Sequence, residues 1–158
     1  MRLALILACA LALSAEPAAA DGVSSSGPGA LALAALVGAH SPALDAQQKQ
    51  ALAGMLDGNL TFPSNAPIAV AADSIACRQG DIDISHHDCT VKFGAVTRTL
   101  NGRVAHELYA TLVENGVPSD GAAGSSYESV SRLACTINSA EVKQKGGGGA
   151  TCSWSPGP

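Results

Sequence analysis

Residues 68–93 read IAVAADSIACRQGDIDISHHDCTVKF, and residues 132–154 read RLACTINSAEVKQKGGGGATCSW. In each stretch two cysteines frame a polar segment, and apolar residues alternate with small or polar ones on either side of it. Such alternation is typical of strands with one buried face. Each stretch therefore predicts an antiparallel hairpin with a disulfide at the base of its loop, and the second hairpin is expected to carry a mobile Gly-rich tip at 146–149.

Four cysteines allow three connectivities, and the similarity between the two stretches favours one of them. SIAC at 74–77 resembles RLAC at 132–135, and CTV at 89–91 resembles CSW at 152–154, as an old internal duplication would leave them. The close Cys-x-x-Cys pairs of zinc ribbons do not occur. The expected bridges are Cys77–Cys89 and Cys135–Cys152.

Helical periodicity surrounds the hairpins. Apolar residues at helical spacing predict one main helix over residues 42–57 and another that follows Asn101 and ends near Asn115, with a short helix at 30–37. A further strand at 96–100 returns from the first hairpin. The predicted fold class is α+β, with a small antiparallel sheet of about five strands and two main helices on one face.

The first 20 residues have the pattern of a secretory signal peptide. Arg2 precedes an apolar run at 3–13, and the small residues of 18–20 suit cleavage after Ala20. The run is too short to span a bilayer, which takes about 20 helical residues, so we expect no transmembrane segment. Residues 21–29 are predicted to form a flexible leader and 30–158 one disulfide-stapled domain, which is periplasmic or secreted.

Composition excludes several classes of function. The 158-residue chain is 47% hydrophobic, so it can bury a core, and its formal net charge of -4 argues against a nucleic-acid partner or a polybasic membrane patch. Only 3% of its residues are aromatic, too few for a platform that stacks bases or sugars.

The densest polar cluster lies between the first two mature cysteines. Carboxylates and imidazoles are ligands for divalent transition metals, and the candidate metal ligands are Asp83, His86, His87 and Asp88. The alternative is a solvated hairpin tip, because Asp, Ser and His are ordinary loop residues. His106 and His40 are interpreted as structural residues of a helix and of a helix entry.

No Gly-x-Ser-x-Gly motif occurs, and the cysteines are better used in disulfides, so we do not expect an enzyme. Arg78, Lys143 and Lys145 are candidate binding residues at the two hairpin loops. The predicted function is that of a small exported binding protein, an inhibitor-like module acting on a secreted or periplasmic protein. The alternative is a periplasmic protein that binds a divalent metal through loop 81–88.

Overall fold

The computed structural model describes residues 22–80, 84–118, 127–145 and 148–156. Within them six strands, β1 to β6 in chain order, span Val23–Ser26, Ile68–Arg78, Asp88–Phe93, Val96–Asn101, Tyr127–Ile137 and Ala150–Pro156. Four helices, α1 to α4, span Pro28–Gly38, Ala46–Met55, Arg103–Glu114 and Ser139–Lys145, and a single 3-10 turn spans Ile84–His86. The predicted signal peptide and its cleavage site, Asp83 and the first half of the glycine run at 146–149 lie outside the described residues.

The six strands form one antiparallel sheet in the order β1-β6-β5-β2-β3-β4. The predicted α+β class is confirmed, with one strand more than expected. The additional strand is β1, which lies at Val23–Ser26, within the segment 21–29 that was predicted as a flexible leader. Its sequence, VSSS, lacks a strong apolar alternation, and β1 forms because its backbone pairs with β6, with Val23 opposite Trp154.

The helices form a layer over one face of the sheet. Helix α1 packs on β1, β6, β5 and β2, whereas α3 packs on β3, β4 and β2, and α1 also contacts both α2 and α3. The inward side chains of the strands and of these helices make one buried cluster. α1 is therefore the central helix of the layer.

Helix α2 begins later than the predicted start at residue 42. A capping box closes its first turn: the Gln48 backbone N–H donates to the Asp45 carboxylate over 2.8 Å, and the Asp45 N–H donates to the Gln48 side chain over 3.1 Å. Ser41 instead accepts the N–H of Ala43 over 3.3 Å and so caps a preceding turn. Reciprocal capping satisfies two free N–H groups, which favours the later start.

Both predicted disulfides are confirmed. Cys77 pairs with Cys89 across β2 and β3, and Cys135 pairs with Cys152 across β5 and β6, each with a Cα–Cα distance of 4.0 Å. All four cysteines are buried on the face that the helices cover. Each disulfide therefore joins directly opposed residues of neighbouring strands.

The segment between Cys135 and Cys152 is not the open hairpin tip that its composition predicts. Much of it is α4, whose Ser139 and Val142 are buried. The Asn138 carbonyl oxygen accepts the Val142 N–H over 3.0 Å at the start of this helix. Two buried side chains are enough to dock a short helix that isolated propensity would not stabilise.

The alternation of β2 breaks near Asp73, because Ala72 and Ile75 are both buried. The accompanying register shift lies in the neighbouring pair β5 and β6, between Ser131 and Ala134. Arg132 adopts a φ of 53° there. The irregularity thus crosses the two central strands of the sheet.

The topology contains two matching β-α-β-β units. The first unit is β1, α1, β2 and β3, and the second is β4, α3, β5 and β6. Each unit gives its first strand to the other, because β1 pairs with β6 and β4 pairs with β3. The two units meet at the central pair of β2 and β5, which makes the sheet pseudo-twofold symmetric.

Atomic details repeat in the two units. Leu100 is paired with Cys89 as Ser25 is paired with Cys152. Helices α1 and α3 each follow a glycine with positive φ, 80° at Gly27 and 62° at Gly102. The Gly27 N–H donates to the Ala150 oxygen over 3.1 Å, and the matching Gly102 N–H donates to the His87 oxygen over 3.0 Å. Sγ of Cys152 lies 3.3 Å from the Ala30 oxygen, and the matching Sγ of Cys89 lies 3.4 Å from the Ala105 oxygen. The duplication suggested by the sequence is thus a repeat of structure as well.

Candidate functional site

The structure does not gather the four residues predicted as metal ligands. His86 is exposed in the 3-10 turn, whereas His87 points inward and is only 4% exposed. Asp88 begins β3, and its carboxylate is held by Arg78. Among the described residues no group of three or more His, Cys, Asp or Glu side chains could hold a metal ion.

Arg78 and Asp88 face each other across β2 and β3, next to the first disulfide. The guanidinium donates through Nη2 over 2.8 Å and through Nε over 3.0 Å to the same carboxylate oxygen. The two side chains are 61% and 32% exposed, so solvent screens the pair and it contributes at most about 1 kcal/mol to stability. The ion pair joins the base of the hairpin.

The predicted binding lysines lie far from Arg78. Lys143 donates to the Asn65 side chain over 3.2 Å, and Lys145 lies 3.6 Å from Glu141, one turn earlier in α4. Because β2 and β5 are antiparallel, the two disulfide-closed segments leave the sheet at opposite ends. The length of β2, eleven residues, separates these ends by about 33 Å. The two loops therefore cannot form one compact surface.

A histidine pair forms the most unusual polar contact of the fold. Nε2 of His87 lies 3.3 Å from Nδ1 of His106, and the two rings meet edge to face at an interplanar angle of 89°. Tyr109, one turn further along α3, adds a second edge contact to His87. Nδ1 of His87 is buried without a hydrogen-bond partner among the described residues.

The backbones of both histidines are hydrogen-bonded to Gly102. The His87 carbonyl oxygen accepts the N–H of Gly102, which starts α3, and His106 N–H donates to the Gly102 oxygen. At Gly80 an added Cβ would lie 2.4 Å from Cβ of His86, so only glycine lets the chain approach the His86 backbone this closely. The His87 backbone is thus fixed against the first turn of α3.

The pseudo-symmetry shows what the fold places at these positions when no histidine is required. His106 occupies the position in α3 that Leu31 occupies in α1. His87, just before β3, corresponds to Ala150, the first residue of β6. Leu31 and Ala150 are both buried and apolar. The β-α-β-β fold therefore does not need an imidazole pair.

The second feature is a groove on the outer side of the helical layer, with α1 as its floor and α2 and α3 as its walls. We call it the helix groove. Its volume is about 460 Å³, and it is lined by Ala32, Leu36, Ala53, Leu56, Asp57, Arg103, Val104, Glu107 and Thr111. Leu56 and Val104 are 49% and 41% exposed, large values for such side chains. Leu56 also lines a neighbouring cleft with Leu31 and Leu60.

His40 follows α1 and is half-buried. Its pKa is lowered from the ordinary value, first because burial removes water from the charged form, and then because the positive charges of Arg98 and Lys49 oppose protonation. The sequence interpretation of His40 as a residue of the helix entry is wrong in detail, because α2 starts only at Ala46. His40 instead lies in the connection between α1 and α2.

Sequence reasoning missed the histidine pair and the helix groove. His87 and His106 are 19 residues apart and match no ligand spacing. The register of the β3–β4 hairpin nevertheless indicates that the two histidines lie close together. Asp88 opposite Asn101 places His87 beside the residue that begins α3, one turn before His106. The groove had no signal, because α2 and α3 are distant in sequence.

Comparison of the chain with protein-family models, with curated proteins and with solved structures found no match. Within the described ranges, none of the helices combines the length and the apolar character needed to cross a bilayer.

Proposed function

We propose that this chain is a small exported binding protein, an inhibitor-like module, and that it binds an apolar segment of another exported protein in the helix groove. The observation that carries the proposal is the pair of exposed side chains, Leu56 and Val104, on facing walls of one groove. Exposed apolar surface that is concentrated in a polar-rimmed groove is typical of protein interaction sites. Scattered single residues would carry no such weight.

The groove favours an amphipathic helix as its occupant. Its floor, Ala32 and Leu36, belongs to a helix that is otherwise covered, and its walls are the end of α2 and one side of α3. A third wall helix would complete the layer, as in helix-in-groove recognition. Asp57 and the ion pair of Arg103 with Glu107, 3.4 Å apart, supply a polar rim that would set orientation.

Export rests on two supports. The first is the signal-peptide pattern of residues 1–20, and the second is the presence of two buried disulfides, which form and persist in oxidising compartments. Disulfides are compatible with a periplasmic or an extracellular location. Rigid stapling also lowers the entropy lost on binding, because the floor helix α1 and the wall helix α3 rest on a sheet that is cross-linked twice.

The alternative function is binding of a divalent transition metal. One observation favours it, the contact between His87 and His106. The metal site expected within loop 81–88 would then draw only one of its ligands from that loop.

The helix groove is tested by placing a photo-crosslinking amino acid at Val104 in cells that export the protein. Val113 is the matched control, because it is 38% exposed on the opposite flank of α3. We expect a cross-link from position 104 alone. Mass spectrometry identifies the partner, whose purified form is then titrated with Val104→Arg and Val113→Arg variants.

We expect Val104→Arg to weaken the complex at least tenfold and Val113→Arg to leave it unchanged, since a buried guanidinium opposes an apolar contact. Equal affinities of the two variants would contradict the groove as the binding site. A cross-link only to a second copy of the chain, or no cross-link at all, would overturn the proposal that the groove binds another exported protein.

A further inference from the structure

We propose that Nε2 of His87 and Nδ1 of His106 bind one divalent transition metal of the zinc class, as two ligands of an open site. The proposal deepens the alternative function and is independent of the helix groove. It also replaces the ligand set predicted from the sequence, of which only His87 is retained.

The first argument is geometric. Zinc–nitrogen bonds of about 2.0–2.1 Å that meet at a tetrahedral angle place two ligand nitrogens about 3.3–3.4 Å apart. The two ring nitrogens that face each other are separated by 3.3 Å. Without a metal, the same distance admits a hydrogen bond in which one ring N–H donates to the other ring nitrogen. The contact thus has the spacing of two ligands on one metal.

The second argument is that folding does not account for the pair. At the symmetry-related place, where the first turn of α1 meets the start of β6, the equivalent positions hold Leu31 and Ala150, and both pack in the core. A buried imidazole with an unpartnered nitrogen is unfavourable compared with such apolar packing. An unfavourable polar pair at a position where the same fold uses apolar residues indicates a role other than stability.

The third argument concerns preorganisation and access. His87 is fixed between the Cys77–Cys89 hairpin and the first turn of α3, and His106 is carried by a regular helix. His106 is partly exposed, so solvent contacts this residue at the protein surface. Water or a group from a ligand can complete the coordination there. In the metal-bound form the protons lie on Nδ1 of His87 and Nε2 of His106, because the facing nitrogens must both supply lone pairs.

The test is a titration of the purified, disulfide-bonded protein with Zn²⁺ by calorimetry, after chelator treatment. The main variant, His87→Ala with His106→Leu, copies the apolar pair at the symmetry-related positions, Ala150 and Leu31, and is therefore expected to fold. His86→Ala and His40→Ala are the controls, since they remove the same side chain elsewhere in the chain. We expect one Zn²⁺ per chain, at least tenfold weaker binding in the main variant and unchanged binding in both controls.

Side-chain nitrogen NMR of the unmodified protein gives a second readout that needs no variant. Zn²⁺ should shift Nε2 of His87 and Nδ1 of His106 together, with saturation at one equivalent. The proposal is overturned if the protein takes up no Zn²⁺, if the main variant binds it as tightly as the parent, or if the nitrogens of other side chains shift instead. Loss of binding in His86→Ala would assign the metal to the surface turn. None of these results bears on cross-linking from Val104, so the two proposals can fail separately.

Discussion

Removal of either disulfide should destabilise the protein by nearly the same amount. The perturbations are Cys77→Ala with Cys89→Ala, and Cys135→Ala with Cys152→Ala. The sequence separations are 12 and 17 residues. In the loop-entropy model these closures correspond to about 2.8 and about 3.1 kcal/mol at 25 °C, a difference of about 0.3 kcal/mol.

The pseudo-twofold symmetry makes the comparison stringent. Both cystines are buried on the same face of the sheet, and each lies against the carbonyl oxygen of an equivalent alanine, Ala105 or Ala30. The cost of the removed sulfur atoms therefore largely cancels between the variants. What remains is the difference in loop length, together with any difference in how the two units depend on their bridge.

The assay is equilibrium unfolding of the oxidised proteins in guanidinium chloride, followed by circular dichroism and extrapolated to water. Both variants should lose about 3 kcal/mol of unfolding free energy. The reasoning is refuted if the two losses differ by more than about 1.5 kcal/mol, a gap several times larger than the loop term allows. It also fails if neither bridge contributes, because the stability of the fold would then not depend on closing either loop.

Two further predictions concern the matched glycines and His40. Gly27→Ala and Gly102→Ala should each lower the unfolding free energy by about 1–3 kcal/mol, because both residues have a positive φ that a Cβ strains. Gly54→Ala, inside α2, is the control. A neutral effect of Gly27→Ala or Gly102→Ala in the same denaturant titration would contradict the prediction. For His40, whose folded-state pKa is lowered, the unfolded chain takes up the proton first as the pH falls below about 6.5, so stability decreases from there until the folded pKa is passed. His40→Gln should lose less stability than the parent between about pH 7 and pH 5, and identical pH profiles would rule out this role.

Local patterns were sufficient for much of the architecture. The alternation around the cysteines predicted the two hairpins and their disulfides, because a strand with one buried face requires a period of two. The helix after Asn101 was visible because Val104, Leu108 and Leu112 repeat at helical spacing, although Val104 turned out to be exposed.

Other elements exist only because of distant partners. β1 is a strand because it pairs with the edge of β6, and α4 is a helix because Val142 is buried in the core. Composition alone therefore suggested a leader in place of β1 and a loop in place of α4. α2 starts at Ala46, and not at the predicted residue 42, because Asp45 and Gln48 cap its first turn reciprocally. In each case tertiary or capping interactions overrode a weak local preference.

The candidate sites divide along the same line. The sequence by itself determined the disulfide framework, the α+β class and the presence of a histidine in the first loop, since these depend on residues that are close in the chain. Only the tertiary structure decided that His87 meets His106, that Leu56 faces Val104 across α1, and that the two loops lie at opposite ends. The physical reason is that side chains from separate elements meet through strand register and helix packing, which arise from the whole buried core and leave no periodic trace in the sequence.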